Sequence, residues 1–190
     1  MSNGDNAVRE PTTFEKTVTH KGNDLATPPG DGITDGTGTV HKSSVVRHGG
    51  LVKTEILIDL TGLDSDATLG DIIGKSGTAL PCHIGQITDA VNGSIYAGKV
   101  TCLEAPATGE VDIDLYAADE ATGVTDGAIG DLTETALMAA AADWTLLLEK
   151  ALTAFPTDGQ YLYLTVGTSS TPTAATYTAG KFLIELWGTV

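Results

Sequence analysis

Val52, Thr54, Ile56, Ile58 and Leu60 alternate with Lys53, Glu55 and Asp59, the period of a half-buried strand over residues 51–60. Val111, Ile113, Leu115 and Ala117 alternate with Asp112 and Asp114 in the same way and form the cleanest period-two run of the chain. Residues 94–104 predict a long strand with Tyr96, Val100 and Cys102 on one face, and residues 83–87 a weaker one. The apolar runs 160–166 and 181–187 predict two closing strands. Asn92-Gly93 predicts a tight hairpin turn, because both residues tolerate positive φ. Residues 131–142, rich in Ala, Leu and Met, predict the one helix, while 144–152 fits helix or strand, with strand favoured. About seven strands with Gly, Pro and Asp between them predict an all-β fold, a jelly-roll-like β-sandwich with one short helical insertion.

The first fifty residues follow another pattern. They hold eight Gly, three Pro and eight Thr, with Phe14 as their one aromatic residue. Such a segment has too little apolar surface to offset its ordering entropy in water. It reads as an extended arm over 1–50, held by another protein chain, in front of a sandwich domain over 51–190. Its β-prone stretches, 12–19 with Phe14 and Val18 and 40–46 with Val45 and Val46, fit strand addition to a neighbour's sheet edge. Phe14, Val18, Val45, Val46 and Arg47 are its candidate partner-binding residues, and Gly49-Gly50 reads as a hinge.

Charge sharpens this division. Residues 1–54 carry six basic and six acidic groups, so the net −15 falls entirely on 55–190. A body with that field repels nucleic acid and anionic membranes, so neither is an expected partner. No apolar run approaches the roughly 18 residues of a membrane helix, and the start of the sequence lacks signal-peptide character, which predicts synthesis in the cytosol. Cys82 and Cys102 then read as buried thiols.

Candidate chemistry is sparse. His20, His41, His48 and His83 show no metal-ligand spacing with each other or with cysteine, and no nucleophile motif is present, so neither an enzyme nor a cofactor is expected. Asp59, Asp64, Asp66 and Asp71 crowd one turn region, and Asp112 and Asp114 share a strand face; these read as solvated acidic surface, with structural Ca²⁺ as the lesser alternative. Asn92-Gly93-Ser94 matches a glycosylation acceptor but reads as a turn. In the last strand Phe182, Ile184 and Leu186 share the core face. Trp187 lies opposite them with Lys181, Leu183 and Glu185, which marks it as an interface residue or a stacking platform.

Four segments, Leu57-Ile58-Asp59-Leu60-Thr61-Gly62-Leu63, Val111-Asp112-Ile113-Asp114-Leu115, Tyr161-Leu162-Tyr163-Leu164-Thr165 and Tyr177 to Leu186, resemble small structural proteins of tailed bacteriophages, particularly those of marine hosts. The resemblance spans about residues 51–190 and contains no catalytic motif. It implies a virion component on the outer capsid surface, a decoration or cement protein. Such a protein acts as a homotrimer that clamps neighbouring major capsid subunits, here through the arm. The alternative expectation is a tail, fibre or carbohydrate-binding sandwich that presents exposed aromatic residues such as Trp187.

Overall fold

The computed structural model describes residues 25–77, 79–139, 142–167 and 171–190. In chain order they form α1 (Asp31–Thr34), β1 (Val40–His48), β2 (Leu51–Asp59), β3 (Asp64–Ser65), β4 (Gly85–Gln86), α2 (Asp89–Asn92) and β5 (Ser94–Ala107). Then come β6 (Ile113–Ala118), β7 (Glu134–Met138), β8 (Glu149–Ala151), β9 (Tyr161–Val166), β10 (Ala175–Thr176) and β11 (Ala179–Thr189). The protein is all-β. A five-stranded sheet in the order β1-β2-β11-β5-β8 and a four-stranded sheet in the order β4-β9-β6-β7 enclose one core, and β3 and β10 form a separate two-stranded ribbon. No helix among the described residues is long and apolar enough to cross a membrane.

Strand β2 follows its sequence pattern residue by residue: Val52, Thr54, Ile56 and Ile58 are buried, and the residues between them are not. Its partner β11 places Ile184 opposite Ile56 and Phe182 opposite Ile58, so the two inner faces make one apolar wall. Trp144 links that wall to the second sheet. Its Nε1–H donates to the Ile113 carbonyl at 2.8 Å, and its ring meets Phe182 edge-on at 5.1 Å between centroids.

Several expectations are corrected. Residues 40–48 are not part of a detached arm: β1 pairs antiparallel with β2 over its whole length, and Gly49-Gly50 is the hairpin turn between them, with Gly49 at φ +60°. Leu25 and Ile33 also enter the core, so the domain includes residues 25–50, and of the expected arm residues 1–24 lie outside the described residues. Gly32 shows why this segment is glycine-rich, since a Cβ there would sit 2.4 Å from Cys82 Sγ.

The helix expected over 131–142 is replaced by a single 3-10 turn at Ile129–Asp131 and by β7, which pairs with the edge of β6. Helix propensities differ by only tenths of a kcal/mol per residue, whereas burying Leu137 is worth about 2 kcal/mol, so packing decides the conformation. The segment 144–152 is a turn followed by the short strand β8, as favoured. Asn92-Gly93 is no hairpin: Asn92 ends α2 and Gly93, at φ +67°, leads into β5. Tyr96 does not share a face with Val100 and Cys102, because a register shift beside Trp187 leaves it outside the pairing and 49% exposed.

Candidate functional site

The outer face of the five-stranded sheet is built from the polar half of each alternating strand. Cross-strand register sets its rows. Ser44 of β1, Glu55 of β2, Glu185 of β11, Lys99 of β5 and Ala151 of β8 form one row. Val46, Lys53, Trp187 and Ala97 form the next on one side, and Lys42, Leu57, Leu183, Thr101 and Glu149 the next on the other.

Two glutamates, Glu55 and Glu185, stand directly opposite each other in the first row, an arrangement that destabilises a sheet unless a cation intervenes. Lys53 intervenes, at 2.8 Å from Glu55 and 2.7 Å from Glu185. Lys99 reaches the other oxygen of Glu185 at 3.2 Å and Glu149 at 2.6 Å. Burial pushes the Glu185 carboxyl up, and hydrogen bonds from Lys53 and Lys99 outweigh it, so the group lies below the ordinary glutamate range. Its hydrogen bonds to Glu185 and then to Glu55 raise Lys53. A second bridge set ties Lys181 to Asp59 at 3.1 Å and to Glu104 at 3.2 Å. The lattice pairs three lysines with five carboxylates of the acidic body and surrounds the half-buried apolar groups Trp187, Leu57 and Leu183. Lys53 Nζ stands 5.8 Å from the centre of the Trp187 ring.

The structure brings together two of the sequence-derived candidates, Trp187 and the exposed Val46, on either side of Lys53. It separates the others. Val45 points inward opposite Thr54 and is buried in its own core, so it cannot serve a partner. Arg47 donates to the carbonyls of Ala90 and Val91, at 3.1 Å for the latter, and so ties β1 to α2 within the chain. Phe14 and Val18 lie outside the described residues. Lys53, Lys99, Leu57 and Leu183 were missed. Their strand alternation was visible, but their meeting depends on register between strands far apart in sequence.

The acidic groups do not form the solvated surface expected. Asp112 and Asp114 are fully buried, Asp112 against Gly167 and Asp114 paired with Thr165 in the second sheet; further along that sheet Tyr163 donates to the Glu120 carbonyl and accepts from the Gly123 N–H. Glu110, also buried, accepts from the N–H groups of Val111, Asp112 and Thr173 and so anchors the turn before β10. The turn-region acids disperse. Asp59 accepts from Thr61 and faces Lys181, whereas Asp64 accepts from Ser76 and Thr176. Asp66 and Asp71 instead meet Asp126, with one carboxylate oxygen of each within 4.8 Å of the others. Asp66 and Asp126 line a cleft of about 460 Å³ together with Ser76, Thr125 and Thr176. Burial, then the Asp126 and Asp66 charges, raise the Asp71 carboxyl above its ordinary value. Such a hard-oxygen set can chemically accept a divalent cation or share a proton.

Cys82 and Cys102 are free buried thiols. His83 is packed between Tyr161 and Tyr163 at 4.9 and 6.3 Å, and His41 Nε2 donates to the Ile84 carbonyl at 2.8 Å. No family model, no curated protein and no solved structure matches the chain.

Proposed function

We propose that this protein is a structural component of a phage virion, a decoration protein of the outer capsid surface. In this reading it is a homotrimer with a jelly-roll-type body that holds neighbouring major capsid subunits together. The outer face of the five-stranded sheet carries the proposal. A charge lattice in which Lys53, Lys99 and Lys181 each bridge two carboxylates, set around Trp187, Leu57 and Leu183, offers another protein a surface whose lysines are already paired. The acidic remainder of the body keeps the assembled surface soluble and free of nucleic acid. Clamping by the arm narrows to residues 1–24, since 25–50 belong to the domain. A glycan-stacking role for Trp187 is disfavoured by Lys53, which stands over the ring a sugar would need.

The test is co-sedimentation with shells of the major capsid protein. The intact chain pellets with the shells. A chain starting at Leu25 stays folded but washes off, and Trp187→Ala combined with Leu183→Ser weakens binding about tenfold or more. Failure of the intact chain to associate, or full retention of both variants, overturns the reading.

A further inference from the structure

We infer that residues 12–19 of this chain add one more strand to the free edge of β1 in the same molecule, with Phe14 seated in the groove beside it. Among the described residues β1 is the long, regular edge of the two sheets. It runs nine residues in unbroken register with β2. The other three edges are blunted: β4 has two residues, β8 three, and β7 five with a register shift against β6. An antiparallel strand turns alternate N–H and C=O groups away from its partner. Among the described residues, no backbone group of β1 bonds to another backbone group outside its pairing with β2. Such a row is a template for strand addition.

The place where the described chain begins selects the occupant. Beside β1 lies a groove of about 580 Å³, lined by Leu25, Pro28, Pro29 and the stretch His41 to Ser43. Leu25 is the first described residue, so the residues before it leave from the groove itself. Those after it fill the seam between β1 and β4. The Thr27 carbonyl accepts from the Gln86 N–H at 3.4 Å, and the Gly30 and Gly32 N–H groups donate to the His83 and Pro81 carbonyls at 2.9 and 2.8 Å.

Of residues 12–19, six of eight are β-branched or aromatic, the composition a strand favours. The chain from Thr19 to Leu25 can reach about 20 Å, enough to turn back along β1. So short a tether holds the segment at a local concentration in the millimolar range, and it outcompetes a second copy or a foreign strand at micromolar concentration. A lysine on an edge strand discourages other chains, and Lys42 is placed to do so. With Phe14 opposite Ser43 in an antiparallel pairing, Glu15 falls opposite Lys42, so the tethered strand meets that lysine with its counter-charge. Residues 1–11 are then the part of the arm left to reach a shell. This goes beyond the capsid reading and is measured without any shell, so its failure leaves capsid binding to be judged on its own assay.

Amide hydrogen exchange, read residue by residue in the full chain, tests the inference. Alternate amides of β1 are expected to exchange about tenfold or more slowly than in a chain starting at Leu25, and amides within 12–19 are expected to be protected as well. About hundredfold dilution is expected to leave that protection unchanged, because the strand is tethered. Thr13→Pro with Thr17→Pro leaves residues 25–190 untouched and should abolish the protection at both places while β9 and β11 keep theirs. Phe14→Ala should lessen it about tenfold or more. Three results overturn the inference: β1 amides that exchange alike in the full and the proline-substituted chains, protection untouched by Phe14→Ala, or protection that fades on dilution, which would assign the strand to a second copy.

Discussion

Asn92 donates from Nδ2 to the hydroxyl of Thr54 at 2.8 Å, and both side chains are wholly buried. The Asn92 oxygen also accepts from the Thr88 N–H at 2.9 Å, so one amide joins α2 to the middle of β2. Asn92→Ala leaves two buried polar groups unpaired and is expected to destabilise the fold by about 2–3 kcal/mol. Thr54→Val in the same chain should recover part of that loss, because it removes one of the stranded partners. A double-mutant cycle by urea denaturation measures the coupling; additive effects would refute the pairing.

Glu185 is the hub of the outer lattice, and its folded carboxyl lies below the ordinary range. A depressed carboxylate stabilises the fold above its unfolded value and loses that contribution as pH falls through the folded value. Glu185→Gln therefore destabilises at neutral pH, by about 1–2 kcal/mol for a half-screened pair of bridges. The difference from wild type should shrink on acidification below the ordinary value of 4.5. Thermal melts across acidic pH check it; a difference that does not vary with pH would mean the lattice does not hold the charge.

How much of this was legible in the sequence depends on whether a residue's fate is set by its own strand. For β2, β9 and β11 the alternation or apolar run is strong, and each forms close to where it was expected. Strand β1 was expected as a β-prone stretch over 40–46, but its place in its own sheet was hidden because its inward residues include His41 and Ser43 beside Val45, a pattern with little hydrophobic contrast. The burial of Asp112 and Asp114 was hidden for another reason: it comes from neighbours some fifty residues on, Gly167 against Asp112 and Thr165 of β9 opposite Asp114, and local alternation carries no trace of them. Glu185 was read on its correct face, but its two lysines come from β2 and β5, and only the register of three strands brings them within reach.

His41 and His83 predict an acid-labile fold. Burial is the main cause that lowers both imidazoles below 6.5; the Ile84 carbonyl partly opposes this at His41, and the His41 charge adds to it at His83. Histidines lowered on folding bind protons more readily when unfolded, so stability is complete above about 6.5 and declines as pH falls toward the folded values. His83→Phe, which keeps a ring between Tyr161 and Tyr163, should flatten the stability profile between about pH 5 and pH 7. An unchanged slope in that variant would assign the lability elsewhere.

Asp71 predicts the opposite sign. Its carboxyl is raised by burial and by Asp126 and Asp66, so the folded state holds the proton more tightly than the unfolded chain. Above the folded value the ionised group penalises the fold, and the penalty disappears as pH falls below the ordinary 3.8. Asp71→Asn keeps an acceptor for the Thr68 hydroxyl and removes the charge, so it should stabilise the protein at neutral pH. The expected gain is on the order of 1 kcal/mol, about 2–4 °C in Tm for a domain of this size. Calcium distinguishes repulsion from coordination at the same three carboxylates. If the triad is only a repulsive cluster, the variant melts above wild type with and without added calcium. A wild type that calcium raises above the variant would show that the three carboxylates hold an ion that offsets their repulsion.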